Sequence, residues 1–191
     1  MGALIMVRHG ESEGNRDRRF TTTPAVPLTD FGREQAGIAA EEIAIRFEPR
    51  RVFTSPYTRA RQTAEIIAAR LDLPVAVEPN LHERKFGVLA GESYDVKEAI
   101  LAFDPVAQWF WRPTGGESYE DVRLRVIPVL ERIAREYPAD EIVIVSHGGA
   151  ILACWVYVTG NRNGAHIVSN CGMVVFEHDA GVFSPPSLVE Q

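Results

Sequence analysis

Two apolar runs in this chain end the same way. Leu4-Ile5-Met6-Val7 leads into Arg8-His9-Gly10, and Ile142-Val143-Ile144-Val145 leads into Ser146-His147-Gly148-Gly149. Unbroken apolar runs of this length suit strands buried on both faces, as in a parallel sheet covered by helices. Between them, short apolar segments alternate with amphipathic ones. Ala36, Ala40, Ile43 and Phe47 recur at helical spacing, and so do Ala60, Ala64, Ile67 and Leu71. Strands alternating with helices predict an α/β fold, a three-layer α/β/α sandwich around a mostly parallel central sheet. Ligands of such sheets bind at the carboxyl ends of the strands. If the two runs are neighbours, His9 and His147 face each other across one pocket, with Arg8 beside them.

The pattern predicts strands at 3–8, 52–54, 75–77, 141–145, 166–168 and 173–177, the last with a hairpin after it. It predicts helices over 30–47, 55–71, 96–103, 116–137 and 150–158. Thr29 is the expected N-cap of the first helix. Ser55-Pro56 is a strong start for the second, since Ser caps and Pro is tolerated at the first helical position. Residues 11–27 show no periodicity and read as loop, and the tail from Ser184 reads as loosely held. The stretch Asn80–Gly116, rich in Gly and Pro, reads as an irregular excursion from a single domain over 1–191, a cap or lid for substrate.

A length of 191 residues fits one domain. The net charge of −6 argues against a generic nucleic-acid binder, which would be basic. Positive charge is local instead, in Arg8, Arg16, Arg18 and Arg19, which suits a small anionic partner: a phosphorylated substrate or inorganic phosphate. No apolar run reaches the length of a membrane span. Cys154 and Cys171 form no CxxC pair and read as reduced, buried thiols, so a cytoplasmic location is expected. The chain has no Walker loop and no dinucleotide fingerprint. His9, His82, Glu83 and His147 lack metal-ligand spacing and lie near arginines. No metal and no nucleotide cofactor are therefore expected. The sequence leaves the oligomeric state open.

Phosphoryl transfer needs a nucleophile, cations for the phosphoryl oxygens, and a proton for the leaving oxygen. His9 is the candidate nucleophile, since a neutral imidazole attacks phosphorus well and divides one hard displacement into two easier ones. Arg8 supplies a forked cation. Arg59 lies near the start of the helix that follows the 52–54 strand, where the free N–H groups and dipole favour an anion. Arg61 points away. His147 is the expected cation over the transferring group, with the glycines after it allowing close backbone approach. Glu83 is the candidate general acid and base.

These residues fall into segments that resemble the histidine phosphatase superfamily, also called phosphoglycerate mutase-like. The segments are Val7-Arg8-His9-Gly10-Glu11-Ser12-Glu13-Gly14-Asn15, the helix start Pro27 to Ala36, Ser55-Pro56-Tyr57-Thr58-Arg59-Ala60-Arg61-Gln62-Thr63-Ala64, Leu81-His82-Glu83-Arg84-Lys85-Phe86-Gly87, Gly115-Gly116-Glu117-Ser118 and Ser146-His147-Gly148-Gly149, with a fainter echo at Asn170. They come in family order. The resemblance implies that His9 becomes phosphohistidine. It implies that Arg8, Arg59 and His147 form a phosphate pocket assisted by Asn15, Ser12 and the Gly148 N–H, and that Glu83 donates the proton.

The Leu-His-Glu-Arg segment is similar to the Leu-Asn-Glu-Arg of cofactor-dependent mutases, but Gly148-Gly149 is the phosphatase-like form where mutases carry Gly-Asn. The chain also lacks the long basic insertion that shields a mutase phosphoenzyme from water. Metal-independent hydrolysis of a phosphomonoester is therefore the expected activity. A bisphosphoglycerate-primed mutase and a non-catalytic phospho-ligand module are the alternatives. Arg18, Arg19, Arg84 and Lys85 are candidates for reading a second anion. Phe103, Trp109, Phe110 and Trp111 form either an apolar substrate wall or ordinary packing.

Overall fold

The computed structural model describes residues 1–21, 23–96, 105–162 and 168–189. In chain order the elements are β1 (Gly2–Arg8), α1 (Glu13–Arg16), α2 (Asp30–Arg46), β2 (Pro49–Thr54), α3 (Thr58–Leu71), β3 (Val75–Val77), α4 (Pro105–Phe110), α5 (Tyr119–Glu136), β4 (Glu141–Ser146), α6 (Gly148–Thr159), β5 (Met173–Asp179), β6 (Val182–Phe183) and β7 (Ser187–Val189). The strands form one sheet in the order β3-β2-β4-β1-β5-β6, with β7 also on β5. The β3, β2, β4 and β1 strands are mutually parallel, and β5 runs antiparallel to β1.

The two-residue period of a strand divides the apolar runs between two cores. Leu4, Met6, Ile142 and Ile144 face one layer, where Val122, Val126 and Ile133 of α5 and Ile151 and Cys154 of α6 cover them. Ile5, Val7, Val143 and Val145 face the other, against Ala40 and Ile43 of α2 and Ala60, Ala64 and Ile67 of α3. Each large apolar side chain so buried contributes about 1.5–3 kcal/mol relative to exposure. The result is the expected three-layer arrangement, with β1 and β4 as neighbours at its centre.

Several local expectations change. Residues 11–27 are not all loop, because Ser12 caps the short helix α1 in a capping box with Asn15. The helix expected from Ser55 begins at Thr58: Ser55 Oγ accepts from the amide of Tyr57, the residue that caps the helix, and lies 2.7 Å from His147 Nε2. The 116–137 helix starts at Tyr119, with Ser118 as its cap, which leaves Glu117 outside it. The tail is not loose throughout: β7 pairs with β5 through Met173–Val175. The helix expected near 96–103 falls almost wholly, and residues 166–167 of the 166–168 strand wholly, outside the described residues.

Candidate active site

The parallel register sets Arg8 opposite Ser146, so the residues that follow, His9 and His147, leave the sheet side by side. Their ring centroids are 5.1 Å apart at an interplanar angle of 65°. The His9 amide donates to the Ser146 carbonyl (3.0 Å) and the His9 carbonyl accepts from Asn170 Nδ2 (3.0 Å), which fixes the backbone at the sheet edge. Gly10 and Gly32 let this turn lie against the first turn of α2; a Cβ on either would meet backbone atoms of the other segment.

His9 Nδ1 lies 2.7 Å from the Gly10 carbonyl, an acceptor only, so Nδ1 carries the proton. Nε2 is then left with its lone pair, which accepts from Arg59 Nε at 3.0 Å. Arg59 is the second residue of α3 and is 1% exposed. Its Nη2 donates to His147 Nδ1 (3.2 Å), which assigns the other proton of His147 to Nε2, donated to Ser55 Oγ at 2.7 Å. One guanidinium thus spans both imidazoles.

Burial, and then the Arg59 charge, hold both imidazoles well below the ordinary histidine range, with Arg8 acting in the same direction on His9. His9 is therefore a neutral imidazole. As arranged here His147 is held neutral too, because it is buried beside a guanidinium. The cations of the site are the two arginines. Arg8 is anchored by Nη1 on the Val168 carbonyl (2.6 Å), while its Nε is buried without a partner, as is Arg59 Nη1. Among the described residues neither arginine forms an ion pair. Burying a charge without an ion pair is costly, so the buried Arg59 and the partly buried Arg8 together suit an anion.

Glu83 reaches this pocket from another layer. It follows a 3-10 turn at Pro79–Leu81, whose Leu81 carbonyl accepts from Ser146 Oγ at 2.8 Å. The half-buried Glu83 carboxylate accepts from the Arg84 amide at 2.7 Å and is the leading charge opposing the desolvation of both Arg8 and Arg59. A Cβ on Gly149 would lie 2.5 Å from Glu83 Oε1. The second glycine after His147 is therefore what admits the carboxylate. Gly148 is the first residue of α6, where amide N–H groups lack intrahelical acceptors.

Other expected residues divide. Asn15 is at the site: Oδ1 accepts from Ser12 and from Asn170, and Nδ2 donates to Tyr94 Oη at 3.2 Å. Ser12 is fully buried and its hydroxyl proton goes to Asn15, so it positions Asn15 rather than meeting a ligand. The second-anion readers do not assemble. Arg18 pairs with Asp95 at the surface, and Arg19 donates to the Gly91 carbonyl. Arg84 is buried, donating to the Glu117 and Trp111 carbonyls. Trp109 is packing: it is buried, stacked on Tyr119, with its indole N–H on Glu120. Phe103 lies outside the described residues.

Residue patterns gave Ser55 only a helix-start role and missed Thr63 and Tyr94. Thr63 accepts from the Gly10 amide (3.1 Å) and donates to the Arg59 carbonyl (2.8 Å), tying α3 to the turn after β1. Its position four residues after Arg59, on the same helix face, was the available signal. Tyr94 had none, because the bridge between Arg19 and Ser93 that places it is long-range.

Fold and site together define an α/β protein that carries a histidine–arginine anion pocket at the carboxyl ends of its central parallel strands. Residues 4–190 match the model of the histidine phosphatase superfamily, branch 1. The chain is 37% identical over 198 residues to a 2,3-bisphosphoglycerate-dependent phosphoglycerate mutase of Gloeobacter violaceus, covering 96% of this chain and 90% of the relative. It is 33% identical over 170 residues to a glucosyl-3-phosphoglycerate phosphatase of Mycolicibacterium vanbaalenii, covering 82% and 74%. A mycobacterial glucosyl-3-phosphoglycerate phosphatase solved with VO3 superposes with a TM-score of 0.83 at 28% identity, covering 99% of this chain and 98% of the other. The protein belongs to the histidine phosphatase superfamily.

Proposed function

We propose that this protein is a metal-independent phosphomonoester hydrolase that works through a phosphohistidine on His9. The observation that carries this reading is the tautomer: Nδ1–H on Gly10 leaves Nε2 unprotonated, its lone pair facing Arg59, beside two guanidiniums that form no ion pair among the described residues. The phosphoryl oxygens take the orphaned N–H groups of Arg8 and Arg59, the second N–H of Asn15 Nδ2, and the first-turn amide of Gly148. Replacing water by such fixed donors stabilises the charge that develops in transfer.

His9 Nε2 attacks phosphorus as the bond to the leaving oxygen breaks, and Glu83 in its acid form gives that oxygen a proton. The Glu83 carboxylate then takes a proton from water, whose oxygen attacks phosphorus as the P–N bond breaks. This returns His9 to its starting tautomer. The bound dianion opposes the depression of His147 by Arg59 and lets it take up a proton over the phosphoryl group. No cofactor enters these steps. Relatives named as a metal-independent phosphoserine phosphatase and as glucosyl-3-phosphoglycerate phosphatases support hydrolysis.

The test is release of p-nitrophenol from p-nitrophenyl phosphate with EDTA present, for wild type and His9→Ala. Release by the wild type alone is expected. Equal release by His9→Ala contradicts the reading. The mutase relative at 37% identity keeps one second reading, in which the phosphoryl group returns to an acceptor hydroxyl. A coupled 3-phosphoglycerate assay primed with bisphosphoglycerate separates the two.

A further inference from the structure

Glu83 sits in a segment without regular structure, residues 82–86, so no helix or strand ladder fixes its backbone. Backbone polar groups in such a segment need partners from elsewhere. The Glu83 carbonyl lies 2.7 Å from His82 Nδ1, and one side chain of α5 ties it to the carbonyls before it. Arg125 Nη1 donates to the carbonyls of Asn80 (2.7 Å) and His82 (2.8 Å), and Nη2 donates to the carbonyl of Glu83 itself (3.2 Å). The remaining donors go to Glu117, Nε to Oε1 (3.0 Å) and Nη2 to Oε2 (3.0 Å). All five guanidinium N–H groups are used. Glu117 closes the frame from the other side: Oε2 accepts from the Lys85 amide (2.9 Å), and its own carbonyl accepts from Arg84 Nε (2.6 Å). The capping box of Ser118 and Asp121 starts α5 immediately after Glu117 and so fixes where Glu117 sits.

We propose that Arg125, locked by Glu117, is a positioning residue that holds the Glu83 backbone so that its carboxyl meets the leaving oxygen. This rests on Glu83 being the general acid, as proposed above. Both side chains of the pair are largely buried, 14% and 15% exposed. A buried ion pair is weak evidence for stability, since apolar residues can often replace it. What apolar residues cannot supply is three hydrogen bonds to carbonyls within four residues, the last of them Glu83. Burial pushes the Glu117 carboxyl upward, but Arg125 and the Lys85 amide outweigh this and hold it below its ordinary range. The clamp therefore stays charged across the neutral range.

The experiment measures kcat/KM for a series of phosphomonoesters from p-nitrophenyl phosphate to alkyl phosphates. The proteins are wild type, Glu83→Gln, Arg125→Lys and the double variant, with Tm recorded for each. Proton donation matters most for poor leaving groups, and a positioned acid is worth about 10²–10⁴-fold. Lysine keeps the charge but cannot span the three carbonyls. Arg125→Lys is expected to cost about 10-fold on alkyl phosphates and under about 3-fold on the nitrophenyl ester. In the Glu83→Gln background it is expected to cost under about 2-fold on either, as residues acting through one group are non-additive.

An equal loss on all substrates, or a loss undiminished in the Glu83→Gln background, overturns the positioning role while leaving the acid in place. A flat leaving-group response of Glu83→Gln itself removes the acid, and the proposal with it. If Arg125→Lys does not fold, Glu117→Gln, which breaks the bidentate pair but keeps the shape, is read by the same criteria.

Discussion

Replacing Gly149 by alanine separates stability from activity at one atom. The added Cβ would sit 2.5 Å from Glu83 Oε1, and ordinary contact begins near 3.4 Å, so the carboxylate must retreat by about 0.9 Å. Its other close neighbours, Arg84 Cβ and Glu83 Cδ at 3.6 Å, already lie at contact distance. What moves is thus the end of a flexible side chain, which costs the fold little. Alanine in the first turn of α6 also loses less backbone entropy on folding than glycine, a gain of up to about 0.5–1 kcal/mol. A misplacement of about 1 Å in a catalytic group can cost on the order of 10²-fold. Gly149→Ala should therefore keep or raise Tm while kcat/KM on an alkyl phosphate falls by about 10–100-fold. The assay is phosphate release under kcat/KM conditions beside a thermal melt of the same sample. Unchanged kcat/KM with unchanged Tm would refute the reasoning, because Glu83 would then not need the space that Gly149 leaves.

Further outcomes follow from the same geometry. Inorganic phosphate should raise Tm, since a ligand at 100 times its Kd adds about 2.7 kcal/mol; Arg59→Met should abolish most of that shift, read by thermal melts with and without phosphate. Both site imidazoles are held neutral by burial and then by Arg59. Below an unfolded histidine's pKa of about 6.5 the unfolded chain takes up protons that the folded chain refuses. Stability is then full above that pH and is lost as pH falls through it, which urea unfolding between pH 7.5 and 5 checks. Thr63→Val removes the acceptor of the Gly10 amide and the donor to the Arg59 carbonyl. It should cost about 1–3 kcal/mol in chemical denaturation and also weaken phosphate binding.

How far the sequence reached depended on the range of the interaction. Residues 4–7 and 142–145 announced buried strands because an unbroken apolar run has few other homes, and their His-Gly endings located the ligand edge. Thr29 and the Ala36–Ile43 face announced α2 because capping and helical period are local signals. Ser55 misled, because serine before proline is a local cap signal and its hydroxyl answers a histidine 92 residues away. The expected second-anion readers failed for the same reason. Arg84 looks like a free cation in the chain, but folding buries it under Trp111 and Tyr119. The neutral state of His147 was likewise invisible, since it depends on burial and on Arg59 reaching across from α3. β7 was missed because a three-residue strand pairs with little of its own pattern.

The proposed hydrolysis turns on one covalent step, transfer of the phosphoryl group to His9 Nε2. The most direct measurement mixes enzyme with phosphate-labelled substrate, quenches at alkaline pH within a turnover, and maps the label on the peptide carrying His9. Label on His9 that forms and decays at rates consistent with turnover is the predicted result. Turnover with no label on His9, or with label on His147 instead, would contradict the account.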